Sequence, residues 1–475
     1  MTRNSDLRLV RIDAAATREA LAPAMGAAPI KAIFAGDGRG QPLGRASIAA
    51  LAVFVVGAGL SCVAQLVIAR IIGPDSYGVY AYALAWVTLL GYLSTLGFHV
   101  SLLRFVPAYQ AREEWALVRG VIQYSQRGAT GIAVTIVLIG FCGIVALRGS
   151  LRPELALTFL LGIASVPFLT LHLIGASVIR ALGGIIAALA PERIVRDGLL
   201  LAIVAAVFWG NFYRLDATLA MGATLLSWIV VLGLDRIFLR RLRPPALEHA
   251  KPKYTAGDWW RPTLPLTVMM IADNLMSRSA IIALGLVGHT RDAGIFALAF
   301  NMAALISLPR MAVATAFAPT VSALFAKGDR AGLQSLSAKA TCLSLLGSAC
   351  AAVALLLLAR PLLSWFGRDF VAGVPIVTIL VLGHVFAAAC GPQQHLITMT
   401  GHERAGAAIL AVCAASSFIG CVAMIDSFGM TGAAFAMTAT LVGWNVAMGI
   451  FIHRGLHLMP GLVVSFKTMP GAKAR

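Results

Sequence analysis

Charge is scarce in this sequence. Asp, Glu, Lys and Arg make up 12% of its 475 residues, where a soluble chain carries about 25%. A soluble protein of this length would need two or three polar-coated domains, and the charges to coat them are missing. Strands that alternate apolar and polar residues, as a transmembrane β-barrel requires, are missing too. A cysteine framework is also absent: the seven cysteines (62, 142, 342, 350, 390, 413 and 421) include no C-x-x-C pair and all fall in apolar segments. They read as small core residues, and neither a disulfide scaffold nor a metal site is expected.

What is present is apolar length. Hydrophobic residues account for 59% of the chain, mean hydropathy is +0.86, and runs such as 49–72 and 343–359 are long and mainly apolar. A helix needs roughly 20 apolar residues to span a bilayer. By that measure the chain has twelve spans, at 46–71, 78–102, 121–147, 155–179, 184–208, 216–239, 264–287, 292–318, 336–359, 371–398, 405–425 and 429–452. The fifth is interrupted by Pro191, Glu192, Arg193, Arg196 and Asp197, and the tenth by Gly391-Pro392.

Basic residues in the connections set orientation, because positive loops stay cytoplasmic. With the N-terminus inside, 28 of the 38 Lys and Arg fall on the cytoplasmic side, 7 on the outer side, and Arg127, Arg278 and Arg310 within spans. The net charge of +18 is thus explained by loops that grip anionic inner-leaflet lipids. A nucleic-acid partner is not expected, since no recognition module accompanies the charge. Residues 1–45 read as a mobile basic cytoplasmic tail; no apolar core and cleavage site mark a signal peptide there.

The chain repeats itself. A shift of 216 residues lays 217–233 on 433–449 with nine of seventeen identities, among them Met221 with Met437 and Trp228 with Trp444. The same shift lays Gly78-Val-Tyr-Ala81 on Gly294-Ile-Phe-Ala297, and a shift of 212 lays Phe105-Val-Pro107 on Phe317-Ala-Pro319. The expected fold is therefore an all-α polytopic membrane protein of about twelve transmembrane helices in two six-helix lobes, 46–239 and 263–454. A basic cytoplasmic connection, 240–262, joins them, and 455–475 forms a second cytoplasmic tail. Six spans return the chain to its starting side, so the lobes insert the same way up, related by a pseudo-two-fold along the membrane normal. Two such lobes can rock about a cleft, which points to a transporter.

The first hairpin reads Ala69-Arg70-Ile-Ile-Gly73-Pro74-Asp75-Ser-Tyr77-Gly78-Val-Tyr80-Ala81, followed by Leu96-Gly97 and Arg104-Phe105-Val-Pro107-Ala-Tyr109; later comes Phe428-Gly429-Met-Thr-Gly432-Ala433-Ala434. This resembles the polysaccharide-transporter, O-antigen flippase-like branch of the multidrug/oligosaccharidyl-lipid/polysaccharide exporter superfamily. The resemblance implies a bacterial inner-membrane flippase. It would move undecaprenyl-diphosphate-linked saccharide from the inner to the outer leaflet for O-antigen, capsule or exopolysaccharide synthesis, beside polysaccharide polymerase machinery. No enzymatic activity or cofactor is implied. The sequence departs from many relatives, including the lipid II flippases, in lacking a thirteenth and fourteenth span. The alternative within the superfamily is a cation-coupled multidrug exporter.

A diphosphate cannot cross hydrocarbon bare, so a cationic cleft is the feature to seek, and ionisable groups within spans are its candidates. The seventh span carries Asp273, Asn274, Ser277 and Arg278 at positions that share one helix face. The repeat sets Gly57, Ala58, Ser61 and Cys62 opposite them, with Gln65 one turn beyond Ser61. This seam is expected to line the cleft, with Arg278 on the diphosphate and Asn274 or Gln65 on sugar or phosphate. The competing reading makes Asp273 and Arg278 interhelical glue. Arg310, after Pro309, is a second expected anion contact or else a snorkelling side chain, with Asn301 in the same span. Asp273, His384 and His395 are the candidates for ion coupling; an ordinary interhelical hydrogen bond is the alternative for each histidine. Arg70, Asp75 and Arg104 read as structural.

Overall fold

The computed structural model describes residues 43–147, 149–210, 215–326, 328–459 and 461. The two expected tails lie almost wholly outside them. From Leu51 onward the chain forms one compact unit.

Among the described residues the elements are helices, nine of them long and apolar enough to span a membrane. Glycine breaks divide two of these further. Gly73, at φ 78 and ψ 171, splits Leu43–Ser94 into 43–72 and 74–94, a backbone state open to glycine but strained for other residues. Gly429 (φ 57, ψ −142) likewise splits Glu403–Phe451. One further span is built of abutting pieces, Ile185–Ala190, the π-helical Pro191–Arg196 and Asp197–Gly210. Twelve crossings result, in the expected order. The sixth, Ala217–Leu242, is ~39 Å long at 1.5 Å per residue, enough for a hydrocarbon core of about 30 Å.

Local chemistry sets several boundaries. Asp216 caps the sixth span by accepting from the Leu219 N–H at 2.9 Å, and Asp329 caps the ninth through the Gly332 N–H at 2.8 Å, each satisfying an otherwise orphaned donor. The tenth stops at Cys390 and restarts at Gln393, because Gly391 takes φ 80 and Pro392 offers no N–H. The outward faces are apolar, with Leu357 75% and Val412 70% exposed, as lipid-facing positions should be. Cys142, Cys342 and Cys350 share that exposure, so these three are not the core residues expected of them.

The apolar clusters describe how the two halves meet. At the end where Gly73 and Gly288 turn the chain, one cluster joins both halves: Ile68, Tyr77 and Tyr80 from the first pack with Ile281, Phe296 and Phe370 from the second. At the opposite end the clusters are separate. Phe98, Val118 and Ile179 belong to one, and Leu333, Ile397 and Leu410 to another.

The seventh span starts at Ala256 rather than 264, and the connection before it is strapped to the first half. The Lys253 N–H donates to the Ala116 carbonyl at 2.9 Å. Arg119 donates to the carbonyls of Glu248 and Ala250 at 2.6 and 2.9 Å. Trp259 and Trp260 donate to the hydroxyls of Tyr109 and Tyr124 at 3.1 and 2.9 Å. Such amphipathic rings suit the interfacial level of a membrane.

Candidate functional site

A cavity of about 270 Å³ opens between the two halves. The first, second, fifth, sixth, seventh and eighth spans bring their polar residues into it. Ser61, Gln65, Asn274, Arg278 and Asn301 all line it, so five of the seven expected substrate-binding residues converge. Gln65 accepts from the Tyr77 hydroxyl at 3.2 Å, and the Asn274 amide donates to the Met270 carbonyl at 2.9 Å.

The expected single face of the seventh span is split. Positions 274 and 278 form one stripe of the helix, 273 and 277 the adjacent one about 100° away. The first stripe faces the central cavity. Asp273 and Ser277 line a different pocket of about 260 Å³ inside the second half, with Arg310, His384 and Gln394. Arg310 therefore does not join Arg278 as a second contact in the central cavity. It shares the second half's pocket with Asp273 instead. His395 lines a third pocket, with Cys390 and Leu396.

The fifth span supplies what the sequence reading left out. Glu192, Arg193, Arg196 and Asp197 all line the central cavity. They lie on or beside the π-helical turn, a local widening of the helix often found at functional sites. Arg193 and Arg196, counted among the basic residues of the cytoplasmic side, face the cleft. The signal was their presence inside a span, read as an interruption rather than as a lining.

The pairing within the cavity is uneven. Arg196 is engaged by Asp197 at 2.7 Å and lies 5.0 Å over the Trp228 ring. Glu192 turns to His172, 3.5 Å away. Arg193 rests over the Phe54 ring at 4.8 Å, where Gly57 lets the first and fifth spans approach: a Cβ there would lie 2.9 Å from the Arg193 carbonyl oxygen. Neither Arg193 nor Arg278 has a carboxylate within 4.0 Å among the described residues. Two guanidinium groups thus line the space with no carboxylate in direct contact among the described residues, and a guanidinium binds phosphate oxygens in bidentate fashion.

Behind this wall, inside the first half, His172 stands between two carboxylates. Its Nδ1 is 2.7 Å from Asp235 Oδ2, its Nε2 faces Glu192, and its ring lies 5.3 Å from that of Trp228. His172 of the fourth span and His384 of the tenth are related by the 212-residue shift, as Trp228 and Trp444 are by the 216-residue shift. In the first half the histidine is fully buried beside the tryptophan; in the second, His384 and Trp444 line the pocket that holds Asp273 and Arg310.

The family model described as polysaccharide biosynthesis protein matches residues 43–325. No curated protein matches in a sequence comparison. Among solved structures, an inward-facing multidrug-resistance MATE family transporter of the MOP superfamily is similar at TM-score 0.70 and 14% identity, over 88% of this chain and 100% of that one. An outward-facing MATE structure reaches 0.61 at 14% identity, over 89% and 95%. The lipid II flippase MurJ, inward closed, reaches 0.62 at 14% identity, over 87% and 88%. The twelve-helix, two-lobe fold of the MATE transporters is the fold of this chain.

Proposed function

Since the chain belongs to the polysaccharide biosynthesis protein family, whose model covers more than half of it, we propose that it flips a lipid-diphosphate-linked saccharide from the inner to the outer leaflet by alternating access. The observation that carries this reading is the pair Arg193 and Arg278, both in the central cavity and both without a carboxylate partner among the described residues. They would hold the diphosphate, with Ser61, Gln65, Asn274 and Asn301 meeting sugar or phosphate oxygens, while the lipid tail stays in the bilayer. A cationic drug would need the opposite, an unengaged carboxylate. Glu192 and Asp197 are turned to His172 and Arg196.

With the N-terminus in the cytoplasm, the shared apolar cluster closes the outer end and the cleft faces inward, ready to receive cargo. The higher similarity to the inward-facing than to the outward-facing MATE structure, 0.70 against 0.61, supports this state. The basic connection would then lie against anionic inner-leaflet lipids, and flipped units would pass to polymerase machinery outside. Asp273 and His384, together in the second half's pocket, are the candidates for cation coupling.

The test is accessibility of lipid-linked repeat units from outside the cell. Deletion of the gene should trap them on the cytoplasmic leaflet, and the wild-type chain, but not Arg278→Ala, should release them. Unchanged outer accessibility after deletion would overturn the proposal.

A further inference from the structure

Resting on the diphosphate reading above, we infer that His172 is a proton-binding site linked to anion binding in the central cavity, with Glu192 as the switch between them.

His172 is fully buried and Asp235 is 3% exposed, yet their hydrogen bonding is incomplete. Nε2 of His172 and Oδ1 of Asp235 have no hydrogen-bond partner among the described residues. Groups so placed are normally satisfied. A neutral imidazole carries one N–H. Placed on Nδ1, it donates to Asp235 and leaves Nε2 as a bare lone pair, 3.5 Å from an oxygen of Glu192. Adding a proton to Nε2 turns that edge into a donor and draws the Glu192 carboxylate inward.

The surroundings give that movement its consequence. Asp235 on the sixth span and Glu192 on the fifth are the charges acting on His172. Arg193 and Arg196 act on Glu192 in turn. Arg180 on the fourth span, which also carries His172, and Tyr92 on the second span lie next around Glu192, while His99 bonds Thr95. On the third span Tyr124 is taken by Trp260. When His172 is neutral, Glu192 is free to neutralise Arg193 and Arg196. When His172 is protonated, Glu192 is held by it, and the arginines are left to an anion in the cavity. Proton and anion therefore bind cooperatively, and the linkage is reciprocal. The proton comes from water in the cavity and returns to it; no other bond forms or breaks.

Trp228 reports on the site, because a protonated imidazole quenches a neighbouring indole. The full-length chain in lipid nanodiscs should show a fluorescence titration between roughly pH 5 and 10, a range that brackets a histidine moved by its partners. The component should vanish in Trp228→Phe and in His172→Gln. Saturating farnesyl diphosphate should move its midpoint to higher pH, and calorimetry should show the probe binding about 5-fold or more tightly at the acid end. In Glu192→Gln the titration should persist while the probe no longer moves it. A component that survives in His172→Gln overturns the site. A probe that binds but leaves the midpoint unmoved overturns the linkage alone. A probe that binds at no pH overturns the diphosphate reading, and the linkage with it.

Discussion

Gly78 and Gly294, equivalent positions of the two repeats, pack backbone against backbone. A Cβ on Gly294 would lie 2.8 Å from the Gly78 amide nitrogen and 2.7 Å from the Pro74 carbonyl oxygen. The pseudo-two-fold axis of the fold thus passes between two residues that the 216-residue shift pairs in sequence, and the lobes touch where neither has a side chain.

Gly294→Val should therefore hold that end apart. With the native cysteines replaced, a cysteine at Ala81, in the cavity wall, should react faster with an impermeant maleimide from the outer side in Gly294→Val than in the wild type. Equal rates would mean that the glycine contact does not close the cleft.

Arg278→Ala and Arg193→Ala should each lower flipping by about 10- to 100-fold, the equivalent of losing a charge-assisted hydrogen bond worth roughly 1.5–3 kcal/mol. Both should insert at wild-type levels, as immunoblots of membranes would check. Lys at either position should restore part of the rate, since it keeps the charge but loses the bidentate fork.

Asp273 and Arg310 invite a double-mutant cycle. If their role is structural, Asp273→Asn or Arg310→Gln alone should destabilise by about 3–5 kcal/mol, and the pair together by less, because each single change strands a buried charge. Thermal melts in detergent measure this. Additive losses would separate the two residues.

Trp259 is fully buried and donates to Tyr109. Trp259→Phe should cost about 1 kcal/mol for the hydrogen bond, and Trp259→Ala roughly 3–5 kcal/mol for the packing. The same melts would resolve the difference.

Twelve crossings, the repeat and five cavity residues were legible in sequence because each leaves a mark that survives without coordinates: apolar length, a fixed offset, or a polar group where hydrocarbon should be. The fifth span was harder. Its charges look like a broken helix until the π-turn shows that the chain absorbs them by facing them inward. The split at Asp273 and Asn274 was out of reach for another reason. Adjacent residues sit 100° apart on a helix, and only the neighbours decide which of two pockets each one enters. Arg193 and Arg278 come from spans far apart in sequence, and their meeting depends on how the two halves are set against one another.

The seventh span also has a mechanical role. Its Thr267 hydroxyl donates to the Leu96 carbonyl of the first lobe at 2.8 Å. Two residues on, Met269 packs among Leu396, Ala407 and Leu410 of the second, and Ser279 bonds Ser417 at 2.9 Å. One rod is thus clamped into both lobes. Pro265 lies inside it, where its missing N–H removes a rung of the helix ladder. If the lobes rock as proposed, the motion is taken up as flexure of this rod, about two and a half turns before Asn274. Cargo held there would feel the stroke directly, so stiffening the rod with Pro265→Ala would slow the cycle without altering a single charge.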